Sequence, residues 1–281
     1  MNYRHIYHAG NFADVWKHAV LVALFDALKQ KNKPFSYLDT HAGIGRYDLN
    51  AEQARRTAEA DQGIRTLENA DNLPPLLERY RELILEDNRI EGVEEGIRFY
   101  PGSPWLASIL RRENDSLVLN ELHPQDVETL RETMRGQRKV SVRHEDAYQS
   151  LSACLPPAEK RGLVLIDPPF EKTDEFARLA ESVKGAYKRW PTGVYGIWYP
   201  IKNRAELQQF YRRLELSGIR RILRAELHTT RSETGKFTGS GLILINPPWK
   251  IEEQLQPAGD WLAKHWGDEQ AVCQIDWLVP E

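Results

Sequence analysis

An apolar run that ends on a carboxylate, two prolines and an aromatic ring is the stretch of this sequence best suited to chemistry. Residues 162–166 (Gly-Leu-Val-Leu-Ile) continue directly into Asp167, Pro168, Pro169 and Phe170. Consecutive Leu, Val and Ile without alternation are typical of a strand buried on both faces, and paired prolines end a strand or a helix. The pattern predicts that Asp167 lies at an exposed strand end, where it can act on a ligand. On this stretch alone an ordinary turn is an equal alternative, because Asp and Pro are common turn residues.

Two further strand ends carry residues suited to a nucleotide-like ligand. The strand over residues 35–39 runs into a loop with Gly43 and Gly45, which lets the backbone approach a ligand closely. The third glycine of a dinucleotide fingerprint is missing, so S-adenosyl-methionine fits the loop better. The strand over residues 116–121 ends on Glu121, which could accept hydrogen bonds from both ribose hydroxyls, although a solvated glutamate is the alternative.

The third strand, residues 140–143, leads to Asp146, which falls where an acid could accept a hydrogen bond from an adenine amino group. Near it, five cations could contact phosphates, although a solvated helix end is the alternative for each one. They are Arg131, Arg135, Arg138, Lys139 and Arg143.

The elements around these strand ends predict one fold. A helix should run from an N-cap at Asn11 to about Gln30, and Ser103 should cap a helix that begins at Pro104. We expect a Rossmann-like class I α/β fold, with a seven-stranded, mostly parallel sheet and an antiparallel last strand. Residues 1–48 and 99–281 should form this domain, and the charged segment 49–98 should be an inserted helical subdomain.

A second tetrapeptide resembles the first but lies on the strand predicted to be antiparallel. Asn246 precedes Pro247, Pro248 and Trp249. Ligands of open α/β sheets bind at the carboxyl ends of the parallel strands, so Asn246 should be structural. The loop before this strand should lie near the site and bind the target, through Arg231, Thr234, Lys236 and Thr238.

Composition limits the class of protein. With 281 residues, 41% of them hydrophobic, and eight tryptophans, the chain should be globular. No apolar stretch is long enough to span a bilayer, and the amino terminus lacks an apolar signal core, so we expect a cytoplasmic protein. The two cysteines, Cys154 and Cys273, lack zinc-site spacing, and we expect no metal. Because the net charge is −3, a polyanion such as a nucleic acid would have to bind at a local basic surface.

Together these motifs resemble a class I methyltransferase acting on an exocyclic amine. More closely, the string Tyr-Arg-His-x-x-His-Ala-Gly-Asn-x-Ala-Asp-Val-x-Lys-His at residues 3–18 resembles the bacterial 23S ribosomal RNA adenine-N6 methyltransferase J family. Asp-Thr-His-Ala-Gly at 39–43, Asn-Glu-Leu-His-Pro at 120–124 and Asp-Pro-Pro at 167–169 extend that resemblance. Phe170 departs from the tyrosine that is usual in such motifs, which keeps a stacking ring but removes the hydroxyl.

The resemblance implies S-adenosyl-methionine as methyl donor and 23S ribosomal RNA as partner. It implies Asp167 as the catalytic residue and cofactor contacts from His18, His41, Ser103, Glu121, Asp146, Ala147 and Asp167. It implies contacts to the RNA from Tyr3, Lys17, Pro168 and Phe170. We expect a monomer. The alternatives are a DNA adenine-N6 or other exocyclic-amine methyltransferase, and a non-catalytic RNA-binding module.

Overall fold

An eight-stranded sheet forms the centre of the protein. The structure is a computed structural model that describes residues 4–230 and 237–281. The strands of this sheet lie in the order β10-β8-β9-β7-β6-β1-β4-β5, and β2 and β3 form a separate antiparallel pair. The strands are β1 (Ser36–Asp39), β2 (Arg46–Asp48), β3 (Phe99–Pro101), β4 (Ser116–Asn120), β5 (Val140–Arg143), β6 (Gly162–Ile166), β7 (Val194–Ile201), β8 (Ile222–His228), β9 (Gly239–Ile245) and β10 (Val272–Val279).

The strand directions confirm the Rossmann-like class I fold. Strands β5, β4, β1, β6 and β7 are parallel neighbours. Strand β9 lies between β7 and β8 and is antiparallel to both. The expected number of seven strands was one too few, because β10 adds an eighth strand antiparallel to the edge of β8.

Nine α-helices in the described residues cover the two faces of the sheet. They are α1 (Phe12–Lys29), α2 (Glu52–Thr57), α3 (Pro75–Ile90), α4 (Ser103–Leu110), α5 (Pro124–Thr133), α6 (Ala147–Cys154), α7 (Glu175–Arg189), α8 (Arg204–Glu215) and α9 (Ile251–Trp266). Among the helices of these residues, none combines the length and the apolar character needed to cross a lipid bilayer.

Helix α1 places polar residues near the carboxyl ends of the parallel strands. The Asn11 side chain accepts a hydrogen bond from the Asp14 N–H and so caps the helix, as predicted. Nearly the whole helix is buried, because it packs against α3, α4, α9 and β9. Its polar residues Asp14, Lys17 and His18 are therefore enclosed and need partners inside the protein.

The segment between β2 and β3 is mostly helical and shares the main hydrophobic core. It contains α2, α3 and two 3-10 turns, and its side chains Ile64, Leu77 and Tyr80 are fully buried against that core. Helix α3 also packs against α1 and α9. The division of the chain into a methyltransferase domain and an inserted helical subdomain stays a prediction.

Candidate active site

A cavity of about 570 Å³ opens beyond the carboxyl ends of the parallel strands. The residues predicted for catalysis, cofactor binding and substrate binding that the structure describes all line this one cavity, whereas Thr238 of the predicted target-binding loop does not. These residues are Lys17, His18, His41, Ser103, Glu121, Asp146, Ala147, Asp167, Pro168 and Phe170. Tyr3 lies outside the described residues, as do Arg231, Thr234 and Lys236 of the predicted target-binding loop. The volume is in the range of sites that hold a small molecule or cofactor.

Lys17 joins two carboxylates at the base of this cavity. Its ammonium lies 2.5 Å from Asp167 Oδ2 and 2.9 Å from Asp14 Oδ1. Asp14 Oδ2 in turn bonds to His5 Nε2 at 2.8 Å and accepts the Gly10 N–H at 3.0 Å. Burial alone would lower the pKa of Lys17, but the two carboxylates more than offset this, and its pKa lies well above the usual value. Lys17 is thus a permanent cation against Asp167.

His18, the next residue, is fully buried and neutral. Its Nδ1 is 2.7 Å from the Tyr100 hydroxyl, whereas its Nε2 has no hydrogen-bond partner among the described residues. Burial first, and then the charge of Lys17, lowers the pKa of His18 to about 3. A buried ring nitrogen without a partner beside a cavity is suited to a ligand.

Ser103 differs from its predicted role as a helix cap. It is the first residue of α4, whose N-cap position is Gly102, and its side chain makes no capping bond. Instead Ser103 Oγ donates to Asp39 Oδ2 at 2.6 Å, and the Tyr37 hydroxyl donates to the same oxygen at 2.8 Å. Burial raises the pKa of Asp39 to about 6 despite these donors. Ser103 therefore ties α4 to the end of β1.

The loop after β1 bends back against Glu121. Gly43 has φ +61°, and its N–H donates to Glu121 Oε2 at 2.7 Å. A Cβ on Gly43 would lie 2.4 Å from the Tyr47 hydroxyl, so this position requires glycine. Glu121 Oε1 accepts the His123 N–H at 2.7 Å. Each carboxylate oxygen keeps one lone pair for a further donor.

Two neighbouring residues complete this end of the cavity. Burial lowers the pKa of His41 to about 4, so that its ring is neutral. Asp146 caps α6, and its Oδ1 accepts the N–H groups of Tyr148 and Gln149 at 3.0 and 3.3 Å. Its Oδ2 makes neither of these bonds. Ala147 is the first residue of α6.

Aromatic rings form the wall beside Asp167. Phe170 has φ +50° and packs its ring 4.8 Å from that of Phe176 and 5.9 Å from that of Trp198. Trp198 also contacts Phe237 with a ring separation of 6.4 Å. The wall could accept a planar ring in offset or edge-on contact.

Sequence reasoning missed several residues of this site, among them Asp14, Trp198 and, behind His18, Tyr100. Asp14 stands three residues before Lys17 on one helix, a spacing that favours an ion pair and was available as a signal. Tyr100 and Trp198 carried no comparable signal, because each meets its site partners across long stretches of chain.

The second tetrapeptide lies at the other edge of the sheet, as predicted. Asn246 follows β9, which is antiparallel to β7. Its amide donates to the carbonyls of Pro191 and Gly193, each at 2.8 Å. It stabilises the loop between α7 and β7 and does not line the cavity.

The predicted cation cluster is largely neutralised by nearby acids. Arg138 and Arg143 bond to Glu113 and Glu145 at 3.0 and 2.7 Å, and Arg131 bonds to Glu128. By contrast, three cations at the cavity edge have no carboxylate partner in the described part of the chain: Lys172, Arg178 and Lys202. Arg178 lies 4.8 Å above the Tyr148 ring, and Lys202 lies 5.6 Å from the Phe237 ring.

Comparison with known proteins agrees with this arrangement. A family model described as ribosomal RNA large subunit methyltransferase D, RlmJ, matches residues 32–279. Ribosomal RNA large subunit methyltransferase J of Escherichia coli strain K12 is 43% identical over 283 residues, which cover all of both chains. Its counterpart in Haemophilus influenzae is 40% identical over the same coverage. The crystal structure of LPL1258 from Legionella pneumophila has a TM-score of 0.87 at 36% identity, covering 96% of this chain and 98% of that one.

The two relatives match over the whole chain, which includes residues 3–18, and the family model matches from residue 32; together they confirm the resemblance inferred from residues 3–18 and the strand ends. The protein is thus an S-adenosyl-methionine-dependent enzyme, and its chain belongs to the RlmJ family of ribosomal RNA large subunit methyltransferases.

Proposed function

We propose that this cavity is where the enzyme methylates the N6 amine of one adenine in 23S ribosomal RNA, with Asp167 as the catalytic residue. One observation carries the assignment of the site: Asp167 lies at the end of β6, in the same cavity as the acceptors Glu121 and Asp146. The carboxylate proposed to bind the target amine and the two carboxylates proposed to bind the cofactor therefore line the same cavity.

The residues present fit S-adenosyl-methionine. Glu121 has lone pairs left for two ribose hydroxyls, and Asp146 Oδ2 can accept from an adenine amino group. His18 Nε2 is a buried polar atom that lacks a partner among the described residues and borders the cavity. When bound, the cofactor would supply a methyl group carried on a positively charged sulfur, and the amine nitrogen can bond to the methyl carbon while the carbon–sulfur bond breaks.

Asp167 would make the target amine reactive. The lone pair of an adenine amine is delocalised into the ring, and acceptors for its N–H groups favour the pyramidal form. Lys17 occupies Asp167 Oδ2, which leaves Oδ1 to accept one N–H, and the Pro168 carbonyl can accept the other. The proline pair keeps both acceptors in place.

The charges around Asp167 suit a nitrogen that becomes positive. Two carboxylates, those of Asp14 and Asp167, lie on either side of the Lys17 ammonium. Asp167 is the one that would face N6, and a carboxylate there stabilises the positive charge that develops on N6 during transfer. Lys17 would thus act through Asp167, by holding its orientation.

The target base must leave its helix to reach Asp167. Phe170 and Trp198 would then stack on or against the base, since their rings form the cavity wall beside that carboxylate. We propose that Lys172, Arg178 and Lys202 hold RNA phosphates at the cavity edge, because no carboxylate in the described residues neutralises them. We further propose action in the cytoplasm, where ribosomes are assembled; a monomeric state stays a prediction.

Replacing Asp167 tests this assignment. Asp167→Ala should lower methyl transfer by at least about 100-fold, the usual effect of removing a positioned catalytic group, with little change in S-adenosyl-methionine affinity measured by calorimetry. Asp174→Ala, an exposed aspartate that makes no capping bond at the start of α7, is the matched control and should keep full activity. Turnover of Asp167→Ala near the normal rate would contradict the proposal.

The substrate is tested with nucleic acids of matched sequence. Transcripts of 23S ribosomal RNA should accept methyl groups, and single-stranded DNA of the same sequence should not. Mass mapping of ribosomal RNA from cells with and without the protein should show one adenine that differs by one methyl group. Equal methylation of the DNA would favour the alternative of a DNA adenine-N6 methyltransferase.

A further inference from the structure

A chain of hydrogen bonds runs from helix α3 to the cavity through two buried tyrosines. The Tyr80 hydroxyl lies 2.9 Å from the Tyr100 hydroxyl, which lies 2.7 Å from His18 Nδ1. All three side chains are at most 1% exposed. The proposed roles of Asp167, Glu121 and Asp146 involve neither tyrosine, although Tyr100 is the only described hydrogen-bond partner of a ring that borders the cavity.

The direction of this chain follows from counting hydrogens. Neutral His18 carries one N–H, on either Nδ1 or Nε2. If Nδ1 carried it, Tyr100 would accept from His18, and only one of the two tyrosine hydroxyls could donate to the other, so one hydroxyl hydrogen would have no acceptor among the described residues. A buried donor without an acceptor is costly. If Nε2 carries the hydrogen, Tyr80 donates to Tyr100 and Tyr100 donates to Nδ1, so that only the Nε2 N–H, at the cavity, lacks a partner among the described residues. The other tautomer leaves two groups without partners, a hydroxyl hydrogen and the bare Nε2, so the Nε2-protonated form is favoured.

We propose that Tyr100 is a positioning residue that holds His18 in the tautomer protonated on Nε2, so that His18 presents one N–H donor to the cavity. The matching ligand group is an anion or another strong acceptor. Glu121 and Asp146 at the same cavity are acceptors and suit the hydroxyl and amino hydrogens of a nucleoside. The donor on His18 therefore suits the carboxylate at the amino-acid end of the cofactor, an assignment that rests on the proposed function.

Tyr80 has a smaller part in this arrangement. It donates to Tyr100 and fills the second position on that oxygen, but without Tyr80 the Tyr100 hydroxyl can still donate to His18. Removal of the two hydroxyls should consequently have unequal effects, even though both are buried in the same contact between α3 and β3. A purely structural role for the pair predicts similar effects.

Nuclear magnetic resonance of the ligand-free protein tests the tautomer directly. With 15N-labelled histidine, long-range 1H–15N spectra distinguish protonated from bare ring nitrogens, and the His18→Gln variant identifies the His18 signals. We expect Nε2 to carry the proton in the unaltered protein and Tyr100→Phe to give a mixture of tautomers. A proton on Nδ1 of the unaltered protein would overturn the proposal, whatever the variants do.

Cofactor binding supplies the second measurement, with Tyr80→Phe as matched control. Tyr100→Phe should weaken S-adenosyl-methionine binding about tenfold, the size of one well-oriented hydrogen bond to a charged group, and Tyr80→Phe by less than about twofold. Equal weakening by both variants would refute the positioning role. Neither measurement uses RNA or Asp167. A negative result for Tyr100 therefore does not contradict the assignment of methyl transfer to Asp167, and a negative result for Asp167→Ala does not change the tautomer found for His18.

Discussion

Replacing Lys17 by methionine should destabilise the protein strongly at neutral pH. Methionine keeps most of the side-chain volume but removes the ammonium that joins Asp14 and Asp167. Asp14 is only 2% exposed, so its carboxylate would remain buried with only His5 and one backbone N–H as partners. Removal of one partner from a buried ion pair costs about 3–5 kcal/mol. For a chain of this size that corresponds to a fall in Tm of roughly 10 °C.

The loss should depend on pH in a defined direction. Burial alone raises the pKa of Asp14, and His5 and Lys17 more than offset it, so the pKa lies well below its ordinary value. A depressed carboxyl pKa contributes stability above the unfolded value of about 3.9, and this is lost as the pH falls through the folded pKa. In Lys17→Met the effect of burial is less well offset, the pKa of Asp14 rises, and the deficit should shrink as the pH falls.

Thermal unfolding followed by tryptophan fluorescence at pH 5 and pH 8 measures both effects. The double variant Asp14→Asn/Lys17→Met is the matched control and should recover part of the loss at pH 8, because the more deeply buried carboxylate, that of Asp14, is then absent and only Asp167 lacks its cation. A single variant as stable as the unaltered protein, or equally destabilised at both pH values, would refute this account of the cluster.

Three further substitutions distinguish parts of the site. Gly43→Ala should weaken S-adenosyl-methionine binding at least about tenfold in calorimetry, because the new Cβ meets the Tyr47 hydroxyl and φ is +61°; unchanged affinity would show that the loop does not approach the cofactor. Asn246→Ala should lower stability to urea by about 1–3 kcal/mol with kcat unchanged, and a loss of kcat would contradict its structural role. Lys202→Ala should reduce the salt dependence of RNA binding by roughly one phosphate contact, whereas Arg138→Ala, whose cation is already paired, should not.

The strands that end at the site could be predicted because their signals are local. Each is a short apolar run closed by an acid or by prolines, and the structure places strand ends within two residues of the expected positions at Asp39, Glu121 and Asp167. Helix α1 was predictable for the same reason, since Asn11 caps it from the adjacent position.

Strand β10 could not be predicted in this way. Gln274 and Asp276 interrupt its apolar residues, so it lacks the continuous apolar run of the site strands, and only Cys273 among its residues is buried. It forms because it pairs with the otherwise free edge of β8. The partner of Ser103 was missed for a related reason: its hydroxyl bonds to Asp39, 64 residues away, and a residue type suited to capping gives no sign of this.

The position of α1 has a consequence for synthesis of the chain. Helix α1 is made first, but Trp16 donates to the Ala225 carbonyl and Ser240 donates to the Ala13 carbonyl, both at 3.4 Å. The helix also packs against α9. Translation delivers those partners more than 200 residues later, so Lys17 and His18 can reach their final places only when nearly the whole chain has left the ribosome. Until then the nascent chain contains the strand ends that carry Glu121 and Asp146, but Lys17 and His18 are not yet in place beside them.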